Sequence, residues 1–182
     1  GSSIKGKMRS LLEMRDGTIG DKPHGVVKNG PSENSDANAV KLFGSANNTD
    51  RQRPSRLIVR DAVLSKEQID ANFFKDTDLL YTEVKTEVVI DRITSKAMPR
   101  QMERVPAGAI FTFELVLNIF EGENETQLLS DTFAAIKLVE NDYIGGSGSR
   151  GSGQVAFTFD KVQELRSTIK EDKTADYQKY WN

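Results

Sequence analysis

The alternating run at residues 111–119 most constrains the fold of this chain. In an extended backbone, successive side chains point to opposite faces, so one face of this run is entirely apolar. That face consists of Phe111, Phe113, Leu115, Leu117 and Ile119, and the other contains Thr112, Glu114 and Asn118. The pattern predicts a strand with one buried face, which a second layer of structure must cover.

Two amphipathic helices are predicted, one on each side of the strand-forming region. The first spans residues 3–15, with Ser2 or Ser3 as its N-cap. The second has Asp131 in its first turn and stops at the glycine pair 145–146. Their apolar positions are Ile4, Met8, Leu11 and Leu12 in the first helix, and Leu129, Phe133, Ile136, Val139 and Tyr143 in the second.

Shorter segments complete the predicted secondary structure. Further strands are expected at 56–61, 83–91 and 155–159, and a brief helix at 66–73. Residues 17–39 are expected to form a long loop, and the charged segment from Lys161 onward a peripheral helix or tail. The order of helix, strands, helix and strand indicates one domain of the α+β class.

Composition excludes several kinds of site. The chain contains no cysteine, which excludes a disulfide scaffold, a thiolate zinc site and a cysteine nucleophile. The only histidine, His24, lies between proline and glycine in a predicted loop, which argues against a histidine-based catalytic centre. No apolar run approaches the ~18 residues that cross a bilayer, and the sequence shows no apolar h-region of the kind found in signal peptides. A cytoplasmic protein without membrane contact is therefore expected.

Charge is segregated along the chain, although the net charge is only −2. Basic residues cluster at 5–9, 51–60 and 92–104, and acidic residues cluster at 121–131. The basic segments could contact the phosphates along a nucleic-acid backbone, or they could be solvated surface. The carboxylates Asp61, Asp91 and Glu103 adjoin basic residues, which favours ion pairing over a metal site.

A glycine- and serine-rich run follows the second helix. Every residue from 145 to 153 except Arg150 is glycine or serine. The run follows a helix instead of opening one, so it does not match a phosphate-binding loop. It predicts either a flexible backbone that approaches a polyanion, with Arg150 pairing with phosphate, or a mobile surface connection.

A series of short motifs occurs in a consistent order between residues 1 and 159. The motifs are GSSIKGKMR at 1–9, LFG at 42–44, RLIVRDA at 56–62, TEVK at 82–85, IDRIT at 90–94, PRQMER at 99–104 and NDYIGGSGSRG at 141–151. Together they resemble the RAMP superfamily of CRISPR proteins, and within it the repeated backbone subunits of type III-A (Csm) interference complexes. A single motif would be weak, but the ordered series is specific.

The resemblance implies a ferredoxin-like (RRM-like) RAMP fold with insertions. The first strand of that fold would be missing from this chain, since the sequence opens at the first helix. An RNA-binding domain would span 1–160, with a lid-like insertion at 17–55 and a thumb-like hairpin region at 91–110. A C-terminal peripheral segment would follow at 161–182.

The same resemblance implies a function. Several copies would stack as a filament along a CRISPR RNA, and target RNA would be cut at regular intervals with Mg²⁺ or Mn²⁺. The partners would be CRISPR RNA, target RNA, other copies of the chain and other subunits of the complex. The family's catalytic aspartate precedes the GSS motif, so no catalytic residue is expected within this chain and its own enzymatic status stays open. No zinc is expected.

Three groups of RNA-binding residues follow from the resemblance. They are Ser2, Ser3, Lys5, Lys7 and Arg9 of the first helix; Arg92, Lys96, Arg100, Gln101 and Arg104 of the thumb; and Gly145, Gly146, Ser147, Gly148, Ser149 and Arg150 of the glycine-rich loop. Such contacts would be largely independent of RNA sequence, because phosphate contacts do not read bases. Two alternatives stay open: a stand-alone metal-dependent endoribonuclease using Asp61 or Asp91, and a scaffold that contacts only protein.

Overall fold

Residues 1–21, 29–45, 53–166 and 169–181 are described by the structure, a computed structural model. They form two units, of which one contains Gly1–Arg60 and Leu115–Asn182 and the other Asp61–Glu114. The helices are α1 (Ser2–Asp16), α2 (Asn38–Phe43), α3 (Lys66–Asp70), α4 (Glu125–Glu140) and α5 (Thr174–Tyr177). The strands are β1 (Leu57–Val59), β2 (Val63–Leu64), β3 (Glu83–Ile90), β4 (Ala97–Arg104), β5 (Phe111–Thr112), β6 (Leu115–Leu117), β7 (Gln163–Arg166) and β8 (Ile169–Asp172).

Helix α1 confirms the predicted first helix but begins differently. Its N-cap is Gly1, and Ser2 already lies within the helix, so the predicted serine cap is wrong. The helix ends where Gly17 adopts a φ of 67°, a left-handed conformation that favours glycine. Met8 and Leu12 are completely buried and anchor the helix in the core.

Helix α4 begins earlier than the apolar pattern suggested. The Asn124 side chain accepts a hydrogen bond from the Gln127 amide and thereby caps the first turn. Asp131 therefore lies beyond the first turn, where its carboxylate is buried and accepts hydrogen bonds from Gln127 and Arg15. The helix stops at Glu140, ahead of the glycine pair that was predicted to end it.

The core of the larger unit lies between α1 and α4. Helix α2 and the antiparallel pair of β1 and β6, in which Leu57 faces Leu117, complete it. Its buried members are Met8, Leu12, Ala39, Leu42, Phe43, Leu57, Leu128, Phe133, Ala135, Ile136 and Val139. Helix α2 lies inside the segment predicted to be a lid-like insertion, and its apolar side chains belong to the core. The lid role of the rest of 17–55 stays a prediction.

The predicted last strand at 155–159 is extended but forms no ladder with the described residues. Val155, Phe157 and Phe159 are partly buried against the core, whereas the residues between them are exposed. The Phe157 amide donates to the Glu140 carboxylate at 2.7 Å instead of to a neighbouring strand. The predicted alternation of inward and outward side chains is confirmed, but the predicted strand is wrong.

The C-terminal segment is less peripheral than its charge suggested. Strands β7 and β8 form an antiparallel hairpin, and α5 leads to a last 3-10 turn, Gln178–Tyr180. The Tyr180 ring stacks on Phe133 at a centroid distance of 5.6 Å, and Trp181 lies 5.0 Å from Phe159 and 5.3 Å from Phe133. These aromatic contacts extend the core and correct the prediction of a purely peripheral segment.

We expect Trp181→Ala to lower the free energy of unfolding by about 2 kcal/mol. The substitution removes a partly buried indole from two aromatic contacts and leaves a gap beside Phe133. Chemical denaturation followed by far-ultraviolet circular dichroism measures the change. Leu165→Ala, at a side chain that is 61% exposed in the same segment, is the control and should have little effect. Equal effects of the two substitutions would contradict the assignment of Trp181 to the core.

The predicted strand at 111–119 is divided between the two units. Strand β5 pairs with β2 in the smaller unit, whereas β6 pairs with β1 in the larger one. The interruption falls at residues 113–114, and residues 60–62 separate the partner strands β1 and β2. Alternation of side chains continues across such a break, so the sequence pattern could not reveal it. A single continuous domain was likewise predicted, and the structure instead separates residues 61–114 from the rest.

The smaller unit consists mainly of the hairpin of β3 and β4. The ladder runs from Glu83 opposite Arg104 to Ile90 opposite Ala97. The hairpin therefore begins at Glu83, ahead of the 91–110 region predicted from the resemblance. Most side chains of both arms are exposed, which explains why residues 92–104 show no apolar periodicity. At the other end of this unit, the Phe74 ring packs edge-on against Phe73 and Tyr81.

The described helices and strands confirm the α+β class. The ferredoxin-like arrangement, with its first strand missing, stays a prediction. None of the helices in the described ranges is long and apolar enough to cross a membrane.

Candidate nucleic-acid interface

The predicted RNA-binding residues fall on three elements. Helix α1 and the glycine-rich loop belong to the larger unit, and the β3–β4 hairpin belongs to the smaller one. Ser2 and Ser3 are exposed at the start of α1. The basic side chains of α1 already bind groups of the chain itself, whereas several of those on the hairpin form no ion pair within the described ranges.

Lys5 is bonded to residues at the start of β1. Its ammonium group donates to the Ser55 hydroxyl at 2.9 Å and to the Leu57 carbonyl at 2.7 Å. Burial, followed by the nearby charge of Arg9, lowers the pKa of Lys5. Lys5 thus joins α1 to the start of β1.

Arg9 is the centre of an internal hydrogen-bond network. Its guanidinium donates to the Glu13 carboxylate at 2.8 Å, to the Ser32 carbonyl at 2.8 Å and to the Gly44 carbonyl at 3.1 Å. Glu13 is buried and also accepts from the Ser32 amide at 3.1 Å. The network anchors the segment around residues 32 and 44 to α1. A phosphate contact by Arg9 stays a prediction, and it would compete with these bonds.

Lys7 connects α1 to the start of the glycine-rich loop. Its ammonium group lies 2.7 Å from an Asp142 carboxylate oxygen and 4.2 Å from the centroid of the Tyr143 ring. Asp142 lies two residues beyond the end of α4 at Glu140. Its partner lies far away in sequence, so no local pattern could have indicated this ion pair.

The glycine-rich loop has a defined shape. The Ile144 amide donates to the Gly153 carbonyl at 2.9 Å and closes the loop, which contains a 3-10 turn at Gly148–Arg150. A Cβ atom at Gly148 would overlap the Tyr143 ring, so only glycine allows this close approach. The loop is therefore packed against the Tyr143 ring, whereas the sequence predicted a flexible connection. Exposed positions remain along it, namely Gly145, Gly146, Ser149 and Arg150.

The hairpin presents basic side chains that are not engaged internally. Arg92, Lys96 and Arg100 are exposed and form no ion pair with other residues in the described ranges. They surround a tip at which Ile93 is 95% exposed. The Asp91 carboxylate accepts hydrogen bonds from the Thr94 and Ile93 amides, which lower its pKa and brace the tip.

The register separates the predicted hairpin residues into two faces. Arg100 and Arg104 lie on one face, opposite Glu87 and Glu83. Gln101 lies on the other face, opposite Thr86 and beside Val88 and Pro99. Arg104 forms an ion pair with Glu83, so the two arginines of that face differ in availability. Gln101 does not share a surface with them.

The basic cluster at 51–60 is partly neutralised within the larger unit. Arg56 pairs with Glu123 at 2.7 Å and lies 4.4 Å from the centroid of the Phe120 ring. The hydrogen bond from Arg56 is the main cause that lowers the pKa of Glu123. Arg51, like His24, lies outside the described residues. Arg53 lines an open cleft of about 250 Å³ together with Arg9, Phe43, Gly44, Ser45, Pro54 and Ser55.

The candidate metal-binding carboxylates do not come together. Within the described parts of the chain, no group of three histidine, aspartate or glutamate side chains could hold a metal ion. Asp91 caps the hairpin tip, and Glu103 accepts a hydrogen bond from the Thr82 hydroxyl at 2.6 Å. No catalytic step is assigned to these carboxylates.

Comparison with known proteins agrees with the motif series. The model of the RAMP superfamily matches residues 1–156. The chain is 44% identical over 170 residues to a protein of Enterococcus italicus named "CRISPR system Cms endoribonuclease Csm3", covering 91% of this chain and 72% of that protein. Proteins of the same name from Streptococcus thermophilus and Methanocaldococcus jannaschii are 44% and 42% identical, each over 86% of this chain. The matches cover 67% and 61% of those two proteins.

Proposed function

The chain belongs to the RAMP superfamily, and on that basis we propose that it is a CRISPR RNA-binding filament subunit of a type III-A effector complex. In this proposal the complete protein cleaves target RNA at regular intervals in antiviral defence. The names of its relatives, which are endoribonucleases of a CRISPR system, support this reading.

The β3–β4 hairpin is the observation that carries the RNA-binding part of the proposal. A two-stranded ribbon is marginally stable in isolation and usually packs against something else. This hairpin is exposed along both arms and carries Arg92, Lys96 and Arg100 near its tip, all available to pair with phosphate. An exposed basic ribbon of this kind suits the backbone of an RNA strand, which it would contact without reading bases.

The proposed partners are the guide and target RNAs, other copies of the chain and other subunits of the complex. The exposed Ser2 and Ser3 and the exposed positions of the glycine-rich loop add candidate backbone contacts in the larger unit. The proposed site of action is the cytoplasm.

Cleavage of target RNA is proposed to require Mg²⁺ or Mn²⁺. In the described ranges, no three histidine, aspartate or glutamate side chains form a group that could hold such an ion. The catalytic aspartate predicted from the resemblance stays a prediction, and nothing in the described residues favours a stand-alone nuclease built on Asp61 or Asp91.

Binding to a single-stranded CRISPR RNA at several salt concentrations tests the proposal. We expect binding at low salt that weakens steeply as salt rises, with a logarithmic slope of about −0.7 for each phosphate contact. An electrophoretic mobility shift or fluorescence anisotropy measures the affinity. The absence of binding at low salt, or binding insensitive to salt, would contradict the proposal and favour a scaffold that contacts only protein.

A further inference from the structure

We propose that Asp142 is a displaceable counter-ion of Lys7, which an RNA phosphate must replace before Lys7 can contact the RNA. The inference rests on the proposed RNA-binding function and adds a competing group to that site. Its starting point is the ion pair of 2.7 Å between the Lys7 ammonium group and an Asp142 carboxylate oxygen.

The ion pair between Lys7 and Asp142 is only partly buried, which allows a phosphate to replace the carboxylate. The side chains of Lys7 and Asp142 are 26% and 31% exposed, so the pair is neither freely solvated nor locked inside the core. The cost of breaking a pair at this depth is modest, because water replaces much of the lost attraction. Arg9, two residues further along α1, differs, since its partner Glu13 is only 3% exposed.

The position of Lys7 does not depend on Asp142 alone. Its ammonium group also lies over the Tyr143 ring, at 4.2 Å from the centroid. The close packing of Gly148 against that ring holds the ring in place. Lys7 therefore keeps a fixed support when its anionic partner changes, and the ammonium group stays over the Tyr143 ring.

Asp142 and phosphate present the same chemistry to Lys7. Both are anionic oxygen acceptors, and an ammonium group has three donors. A phosphate that shares Lys7 with the carboxylate is repelled by it, because like charges a few ångströms apart interact unfavourably. Asp142 therefore lowers the affinity for RNA, and its carboxylate separates from Lys7 when a phosphate binds.

Asp142→Asn tests this inference. Asparagine keeps the shape and an acceptor oxygen but removes the competing charge. We expect the dissociation constant for a fluorescein-labelled, unstructured oligouridine RNA to fall by about threefold at low salt. We also expect the salt slope to steepen by up to about 0.7, the value for one phosphate contact on a single strand.

Two comparisons separate this effect from a general change of charge. Asp160→Asn removes one negative charge at an exposed residue that forms no ion pair in the described ranges, and it should leave the dissociation constant nearly unchanged. In a Lys7→Met background, Asp142→Asn should lose its effect, because the competition acts through Lys7. Circular dichroism verifies that each variant is folded, and Asp142→Ser replaces Asp142→Asn if the latter does not fold.

The outcomes separate this inference from the proposed function. Weaker RNA binding by Asp142→Asn would overturn the inference, because it would make Asp142 a positioning residue that orients Lys7 toward the RNA. An unchanged dissociation constant, or an equal gain in the Lys7→Met background, would also overturn it while leaving RNA binding intact. If the unsubstituted chain does not bind the RNA, the proposed function and this inference both fail.

Discussion

Replacement of Arg92, Lys96 and Arg100 by glutamine is expected to weaken binding of single-stranded RNA by about one hundredfold at low salt. These three side chains are exposed near the hairpin tip and form no ion pair in the described parts of the chain, so each is available for a phosphate. Loss of three such contacts at about 1 kcal/mol each corresponds to that change in affinity. The salt slope should become shallower by about 2, since each contact on a single strand contributes about 0.7.

A charge-matched variant makes this test specific. Lys66, Lys161 and Lys170 are exposed and lie outside the hairpin, and their replacement by glutamine removes the same total charge. We expect this variant to lose less than about fivefold in affinity, because only long-range attraction is reduced. Equal losses in the two variants would show that net charge, and not the hairpin, determines RNA binding. Both variants should unfold at the same denaturant concentration as the unsubstituted chain.

Arg9→Ala is expected to lower the free energy of unfolding by about 3 kcal/mol. The substitution removes donors to the Glu13 carboxylate and to the Ser32 and Gly44 carbonyls. Glu13 is only 3% exposed, so its charge would remain buried without its cationic partner, which is the costly way to break an ion pair. Chemical denaturation followed by circular dichroism measures the loss.

Two further variants test whether the loss of stability comes from leaving the Glu13 charge buried without its partner. Lys170→Ala removes an exposed basic side chain of the same unit and should change the free energy of unfolding by less than about 0.5 kcal/mol. Arg9→Met combined with Glu13→Gln should recover part of the stability, because no charge is then left buried. A loss below about 1 kcal/mol in Arg9→Ala, together with weaker RNA binding by the folded variant, would assign Arg9 mainly to RNA instead of to the fold.

Prediction from the sequence succeeded where local periodicity carried the information. The apolar spacing of Met8 and Leu12 located α1, and the alternation at 83–90 located the first arm of the hairpin. It failed for β4, because the side chains of an exposed strand show no apolar alternation. It also missed the break between β5 and β6, because the two strands pair with different partners while the alternation of side chains continues. The C-terminal aromatic contacts were missed because a charged segment of this kind resembles a solvated tail.

The candidate interface shows the same division. Apolar spacing, charge clustering, the glycine–serine run and the motif series together located the cationic helix, the basic segment of the hairpin and the glycine-rich loop. They could not distinguish the arginines and lysines that are already engaged from those that are available. Lys5 and Arg9 bind carbonyl oxygens of the chain itself, whereas Arg92, Lys96 and Arg100 do not pair internally within the described ranges.

The family, the α+β class and the positions of the basic segments could all be predicted from the sequence, because they depend on residue order and on short periodicities. Which basic side chain meets which acceptor depends on the folded chain. Lys7 and Asp142 are separated by most of the larger unit's sequence and meet because α1 packs against α4. The physical reason is that an ion pair depends on distance in space, and the packing of a shared core sets that distance between residues remote in the chain.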